Sequence, residues 1–504
     1  MAGMSAISVR ASLLRSPAAA YGWPEADRIP HPRHRIPLVG DVIGARPRTP
    51  VQESMRLARE LGPVFRRRFF GMEVVMVSGP ELVGDLADES RFTKRVMLAV
   101  RSLRQVAGDG LFTAHSDEPN WRLAHEILAP GFTREAMERY HPTMLDVTGQ
   151  LLRIWDRHAA AGKPVDVTRD MTRLTLETIG RTGFGYRFDS FERREPHPFV
   201  TAMVGALEHA QRRAVTAPVA GPLIARIAGA RNAADVRLLN ETVDAVIRER
   251  TARGRGRGPG AAGGAGPADL LGLMLGSTHP ETGERLAPAN IRNQVITFLV
   301  AGHETTSGAL SFALYFLARH PAVLARAQDE VDRVWGTGPA EPRYEQVPRL
   351  RYVRRVLDES LRLWPTAPGF IRAAREDTLL AGTHPMRKGA WAVVLVPALH
   401  RDPSVWGPDP ESFDPDRFLP ERVRARPSHV FKPFGTGERA CIGRQFALHE
   451  ATLVLGMLLR RYDLHADPAY RLKVVERLTL MPADLRLTLT PRRTVSTVSY
   501  APGR

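Results

Sequence analysis

The stretch FKPFGTGERACIGRQFALHEA, Phe431 to Ala451, holds the single cysteine of the 504-residue chain, Cys441. Gly435 and Gly437 permit a tight turn with positive φ ahead of it, and Gly443 lets the following helix approach closely. The helical pattern begins just after the cysteine. Its sulfur therefore meets the positive end of a helix dipole and free backbone N–H groups. Such donors stabilise a thiolate and tune a metal bound to it. One cysteine allows no intrachain disulfide, which fits a reducing compartment, and a cytoplasmic location is expected. A lone cysteine is a small buried hydrophobe, a nucleophile or a metal ligand, and the residues around it decide which.

Working outward, AGHETTSG (Ala301 to Gly308) lies within a long apolar helical stretch, Asn290 to Arg319, of about 45 Å at 1.5 Å per residue. Ala301 and Gly302 leave room for something flat against the helix. Glu304, Thr305 and Thr306 put a carboxylate and two hydroxyls in apolar surroundings, which is costly unless they are used. Threonines that bond back to the preceding turn account for the hydroxyls too, and both readings hold together. In LDESLRLWP, Glu359 and Arg362 share a helix face at spacing i, i+3. The apolar flanks predict a buried pair that needs a further partner, and Arg417 in DPDRF fits that place. This trio is expected to serve folding, not chemistry.

The rest of the chain predicts a mainly α protein with small sheets near its two ends. Helical patterns run from Met137 to about Ile247 and from beyond Ala440 to about Tyr462. Strand patterns cover Phe65 to Val77, Thr378 to Leu380 and Ala390 to Leu399. The Gly-, Arg- and Pro-rich segment at about 253–267 reads as a flexible surface loop. Residues 29–491 read as one domain, 1–28 as a disordered N-terminal tail (a transit peptide being the other reading of its start) and 492–504 as a C-terminal tail.

No run of about 20 apolar residues is free of polar interruption, so no membrane span is predicted. The formal net charge is +17, but all of the 71 basic residues except Lys94, Lys163, Lys388, Lys432 and Lys473 are arginines spread along the whole chain. Without a basic stripe, zinc-finger spacing or RNA-binding aromatic motif, no nucleic-acid partner is expected.

The segment F-x-x-G-x-x-x-C-x-G around Cys441 resembles the haem-binding loop of the cytochrome P-450 family. The resemblance implies that family's fold, a large helical domain with a long central helix over the haem. It also implies haem b as cofactor, dioxygen as cosubstrate and Cys441 as the iron ligand. Phe434 then packs by the sulfur, and Gly435 and Gly443 shape the loop. Arg439 pairs with a haem propionate, and Lys94 and Ala301 also contact the cofactor. Thr305 matches the threonine that hydrogen-bonds bound dioxygen, and Glu304 the acid that relays protons. Glu359, Arg362 and Arg417 resemble the family's structural E-x-x-R and P-x-R-F motifs, and PHPRHRIPLVG (Pro30 to Gly40) its proline-rich entry segment. Trp121 matches a tryptophan that approaches a propionate, although the family's arginine four residues on is here His125.

Within the family the chain is similar to the haem domain of the self-sufficient bacterial fatty-acid hydroxylases. The resemblance runs from about Pro30 to about Pro491 and includes AGDGLFT, MTRLTLETIG, ITFLVAGHETTSG, LRLWPTAP and RQFALHEATLVLGM. It places Phe112 over the haem and gives the substrate pocket Phe112, Ala301, Val100 and Ala107. Met72 and Met76 stand where that subfamily has an arginine and a tyrosine that hold the fatty-acid carboxylate. Arg66, Arg67 and Arg68 are the nearby candidates to replace them. The resemblance stops before a flavin reductase. A separate electron donor is thus expected (a ferredoxin, flavodoxin or flavin reductase), unless the sequence is a fragment. The implied activity is insertion of one oxygen atom into a C–H bond of a hydrophobic substrate, a medium- or long-chain fatty acid being the expected class. A peroxide-driven peroxygenase and a non-catalytic haem sensor are the competing readings. Glu304 with Thr305 argues against both, because oxygen activation needs delivered protons.

Overall fold

The computed structural model describes residues 22–492, apart from 37–38, 42–45, 47, 70–71, 97, 194, 216–221, 256–268 and 339. Most of the tail expected at 1–28, most of the loop expected at 253–267, and all of the tail expected at 492–504 except Arg492 lie outside the described residues, as does part of Pro30 to Gly40. Where the first tail is described, the expectation of disorder fails. Trp23 and Ala26 are buried in a core, and the Trp23 indole donates to the Trp391 carbonyl at 3.2 Å.

The chain folds as two compact units, where the sequence reading expected one. The smaller is drawn from 1–97, 368–411 and 426–440, the larger from 98–367, 412–425 and 441–504. No composition shift marks these boundaries, because each unit is assembled from stretches far apart in the chain.

Along the chain, the smaller unit supplies α1 (Pro50–Leu61), β1 (Val64–Phe69), β2 (Met72–Val77), α2 (Pro80–Leu86) and β3 (Phe92–Lys94). The larger unit follows with α3 (Leu98–Ala107), α4 (Pro119–Leu128), α5 (Arg134–Ala160), β4 (Val165–Asp166) and α6 (Val167–Phe184). It continues through α7 (Pro198–Val215), α8 (Pro222–Arg255), α9 (Leu270–Gly276), α10 (Pro288–Arg319), α11 (Pro321–Trp335) and α12 (Arg351–Leu363). Strands β5 (Gly369–Ala374), β6 (Thr378–Leu380), β7 (His384–Met386) and β8 (Trp391–Leu395) return to the smaller unit. After Cys441 the larger unit closes with α13 (Arg444–Arg461), β9 (Tyr462–Ala466), β10 (Val474–Glu476), β11 (Leu480–Pro482) and β12 (Arg486–Pro491).

In the smaller unit one sheet runs β1-β2-β8-β5-β3, with only β2 and β8 parallel. Period-2 alternation turns Val75 and Val77 into a core with Phe92, Ala392 and Val394. The single strand expected over Ala390 to Leu399 stops at Leu395, and Val396–Leu399 forms a helical turn. Pro397 explains the change: it cannot donate to a ladder but suits the first turn of a helix.

The larger unit is organised around α10. Pro288 starts it at a position where no N–H is needed, and His320-Pro321 stops it. The helix is apolar nearly all round, as a fully buried helix must be. It packs against α3, α6, α8, α12 and α13. Among the described residues no single helix is long and apolar enough to cross a membrane. The α10–α11 pair passes such a test only jointly, across a 113° bend.

Candidate functional site

Cys441 stands three residues before α13, and its carbonyl accepts from the Arg444 amide at 3.3 Å. The surrounding protein pushes the thiol up by desolvation, while the Gly443 amide and the Arg444 charge pull it back. The residue nevertheless remains solvent-accessible, so its sulfur is open to a ligand. Among the described residues no three His, Cys, Asp or Glu side chains converge to hold a metal ion. A lone thiolate suits iron whose other ligands come from a macrocycle.

The turn before the cysteine belongs to the smaller unit. Gly435 and Gly437 have φ of 74° and 70°, and a side chain at Gly437 would collide with the Glu89 carboxylate. That carboxylate accepts the Glu438 amide at 2.9 and 3.1 Å and faces Arg372 at 3.4 Å. Arg372 also donates to the Thr436 carbonyl at 2.8 Å, and the His400 ring accepts the Lys432 amide at 2.9 Å. Lys94 lies close to Arg439 and Arg372. Desolvation first, then those two charges, push its ammonium down to about 7. Three cations gathered in this way suit an anionic group such as a pair of cofactor carboxylates. Phe434 and Arg439 are half-buried in the same loop. Sequence reasoning missed Glu89, Arg372 and His400, since nothing local ties them to a loop up to some 350 residues away.

On α10 the neighbours Phe298, Leu299, Val300, His303, Glu304 and Thr306 are buried, whereas Ala301 and Thr305 stay half-exposed. These two lie at i, i+4 and form one short stripe. The Thr305 hydroxyl donates to the Ala301 carbonyl at 2.8 Å, the back-bond that the sequence allowed. Glu304 points elsewhere. Its carboxylate accepts from the Thr479 hydroxyl at 3.0 Å and lies 3.8 Å from Arg477, both near the β10–β11 turn. Acid and alcohol thus occupy different faces of one helix.

The loop after α3 is bolted to α10. Asp109 accepts from Asn290 at 2.9 Å, Asn293 at 2.7 Å and Asn120 at 2.6 Å, and the Gln294 amide oxygen takes the Leu111 N–H at 2.9 Å. A side chain at Gly110 would strike the Thr297 hydroxyl, so glycine lets the loop lie against the helix. This clamp fixes Phe112, which is 37% exposed and borders a small apolar recess with Ala107, Leu103, Met203, Leu207 and Val300. Of the other expected pocket residues, Val100 is buried on α3, and neither it nor Ala301 borders this recess. Trp121 is buried on α4 and stacks on His125 with ring centroids 5.1 Å apart.

The candidate carboxylate anchors of the smaller unit are engaged otherwise. Arg66 binds Glu73 at 2.8 Å and Asp27 at 3.3 Å, Arg68 binds Glu73 at 3.3 Å, and Arg67 donates to the Ser54 hydroxyl at 3.3 Å. Met76 is buried, and the Met72 side chain lies outside the described residues. In the larger unit, Arg362 grips Glu359 with Nε at 2.6 Å and Nη2 at 2.7 Å. The Asp414 amide adds a bond to Glu359 at 2.9 Å, and Arg417 stands 3.6 Å away.

A single soft sulfur ligand at a helix start is the protein donor expected of a haem-thiolate site. Comparison with known proteins narrows that class. The profile of the family described as Cytochrome P450 matches residues 30–489. The bifunctional cytochrome P450/NADPH–P450 reductase 2 of Bacillus subtilis is 46% identical over 88% of this chain and 41% of its own length. A bifunctional cytochrome P450/NADPH–P450 reductase of Bacillus cereus is 46% identical over 94% of this chain and 43% of its own. A self-sufficient cytochrome P450 monooxygenase of Aspergillus niger is 38% identical over 93% and 43%. The chain belongs to the cytochrome P450 family, whose cofactor is haem b. It spans about two fifths of the length of these curated relatives.

Proposed function

We propose that the protein hydroxylates a medium- or long-chain fatty acid, or a lipid-like molecule of similar shape, at a carbon near the chain end. The substrate class is supported by the exposed Phe112 ring beside the apolar Leu103, Met203, Leu207 and Val300, on a loop clamped to α10 through Asp109 and Gln294. In this reading the Phe112 ring blocks a terminal methyl and favours the carbons next to it. The balance is one C–H bond, one dioxygen, two electrons and two protons giving one alcohol and one water.

Haem b with a thiolate ligand supplies oxygen activation, because the sulfur pushes electron density toward the O–O bond. In this reading Cys441 holds the iron, Gly435 and Gly443 shape its loop, and Phe434 shields the sulfur. Arg439, Lys94 and Trp121 hold the propionates, with Arg372 joining the cations. Ala301 leaves room for the ring. Thr305 offers a positioned hydroxyl, and Glu304 is the acid that replenishes protons. Glu359, Arg362 and Arg417 act in folding. Electrons arrive from NAD(P)H through a ferredoxin, flavodoxin or flavin reductase. The relatives' names, which pair a cytochrome P450 with an NADPH–P450 reductase, support a flavin donor, and the +17 charge suits an acidic one. A cytoplasmic location belongs to the same proposal and rests on the single cysteine.

The test is spectroscopic and chemical. Reduced protein with carbon monoxide is expected to show the red-shifted Soret band of a thiolate haem, and Cys441→Ser to lose it. A band that survives the substitution removes Cys441 as ligand. Product from lauric or palmitic acid is expected to require a reductase system. Equal product from hydrogen peroxide alone would replace the monooxygenase reading with a peroxygenase.

A further inference from the structure

Phe112 is 37% exposed, so the place of its ring depends on the backbone at either side. On one side the Thr113 hydroxyl donates to the Gly108 carbonyl and Arg104 donates to the Thr113 carbonyl, each at 2.8 Å. On the other the Leu111 N–H donates to the Gln294 amide oxygen at 2.9 Å. Gln294 is buried, and its NH2 donates to the Asn290 oxygen at 3.0 Å. The Asn290 NH2 donates in turn to the Asp109 carboxylate at 2.9 Å, where Asn293 and Asn120 also donate. A ring of hydrogen bonds thus leaves the loop at Leu111 and returns to it at Asp109. Between them lies Gly110, where a side chain would meet the Thr297 hydroxyl and the Asn293 carbonyl.

A side-chain amide has a donor end and an acceptor end, so a chain of amides can point either way, whereas an ionised carboxylate only accepts. Burial pulls the Asp109 carboxyl up, but the amides of Asn120, Asn293 and Asn290 outweigh it and hold the group below the usual carboxylate range. It is therefore charged at neutral pH. Asn290 must turn its NH2 to that charge and its oxygen to Gln294, which leaves the Gln294 oxygen for the Leu111 N–H. Reversed, the chain would set the Gln294 NH2 against the Leu111 N–H, two donors face to face, and a buried amide would lose this acceptor. We infer that Asp109 is a positioning residue that determines which carbon of the substrate is oxidised. It does so without touching the substrate: its charge fixes the direction of the amide chain, the chain holds the Leu111 backbone, and that backbone aims the Phe112 ring. The role rests on the fatty-acid reading proposed above and adds the group that sets its regiochemistry.

The experiment uses the haem-loaded protein with its reductase system and lauric acid, and compares Asp109→Ala, Gln294→Met, their double variant, Asp109→Asn and Phe112→Ala. Chromatography gives the ratio of terminal to subterminal alcohol. Hydrogen-exchange mass spectrometry gives the protection of residues 108–113 apart from turnover. Asp109→Ala and Gln294→Met are each expected to raise the terminal share by roughly two- to tenfold, the range one lost hydrogen bond is worth, and to speed exchange in that segment. The double variant should move no further than the larger single one, because both act through one chain. Asp109→Asn keeps an oxygen for Asn290 and Asn293 while its NH2 faces Asn120, whose amide can turn, so it should stay near the parent ratio. Glu359→Gln, which weakens a buried ion pair on α12, should lower stability and leave the ratio alone, separating aim from general loosening. If the unsubstituted protein oxidises no acyl chain, or Phe112→Ala leaves the ratio unchanged, the substrate reading fails and the role of Asp109 with it. If Phe112→Ala moves the ratio but Asp109→Ala and Gln294→Met move neither ratio nor exchange, the role of Asp109 is overturned while the substrate reading stands. A double variant that shifts by the product of the two single effects, or a Glu359→Gln shift equal to theirs, overturns it as well. The carbon monoxide band, retained in each variant, verifies that the fold is intact.

Discussion

Replacing Glu359 with alanine is expected to destabilise the larger unit by about 3–5 kcal/mol, the usual cost of breaking a buried ion pair. Both side chains of the pair are 0% exposed. Without the carboxylate, Arg362 loses its charged partner, and the Ser412 carbonyl, which accepts from it at 3.0 Å, supplies no charge in its place. The Asp414 amide loses its acceptor and Arg417 a nearby counter-charge. The loss corresponds to roughly two to three and a half decades in the folding equilibrium. Glu359→Gln keeps an acceptor for Asp414 but turns an amide toward the guanidinium, so it should fall only slightly short of alanine. Glu359→Leu with Arg362→Met removes both charges together and should recover much of the stability, because the desolvation cost vanishes with them. The assay is urea denaturation of haem-loaded protein, followed by circular dichroism and by the Soret band, with midpoints compared because two units need not melt as one. Asp377→Ala is the control. It breaks an ion pair to Arg387 whose side chains are 58% and 66% exposed, and only a small shift of the midpoint is expected. A Glu359→Ala midpoint indistinguishable from that of Asp377→Ala would refute the reasoning. So would a double variant no better than the single one.

Burial pushes Glu450 on α13 up to about 8, with the nearby Thr178 hydroxyl opposing the shift. The fold holds this proton more tightly than the unfolded chain does. Stability is therefore fullest below the ordinary value of about 4.5 and falls as pH rises toward about 8, by up to about 1.4 kcal/mol per unit. Glu450→Gln should flatten that slope and raise the melting temperature at pH 8, and an unchanged slope in thermal scans would exclude Glu450 as its source. Thr305→Ala is expected to keep haem but divert reduced oxygen to peroxide, and peroxide released per NAD(P)H is the measure; unchanged coupling counts against a role for Thr305. Fatty acids and their neutral amides of equal length should bind within a few-fold of each other, since Arg66, Arg67 and Arg68 are engaged with Glu73, Asp27 and Ser54. Each added methylene should tighten binding by up to about 0.8 kcal/mol; a strong preference for the free acid in optical titrations would reveal an anchor elsewhere. Reduction by an acidic donor should slow as salt rises, and stopped-flow rates indifferent to ionic strength would remove electrostatic steering.

What could be read in the sequence was local. The glycine turn at Cys441, the small residues at Ala301 and Gly302, and the Glu359–Arg362 spacing each lie within a few residues of chain, where helix period and turn chemistry are fixed by sequence. Glu359 pairs with Arg362 at 2.6 Å, and Arg417, some 60 residues on, stands 3.6 Å away. Groups that arrive from afar left no such trace. Glu89 and Arg372 support the cysteine turn from different strands and loops of the smaller unit. Asp109 is gathered by asparagines from two helices. The direction of Glu304 was also hidden. Adjacent residues on a helix differ by about 100°, and only the β10–β11 turn reveals which side the carboxylate takes. The division into two units was illegible for the same reason, because tertiary contacts define it and composition does not.

The single cysteine has a use at the bench. With Cys441 holding the iron as proposed, the 504 residues offer a thiol reagent no other target. A cysteine placed at Thr172 or Phe112 would then be the sole labelling point, and a maleimide dye there would watch the cavity beside α6 or the apolar recess separately during turnover. Conversely, any dye taken up by the unsubstituted protein counts the molecules that have lost their haem.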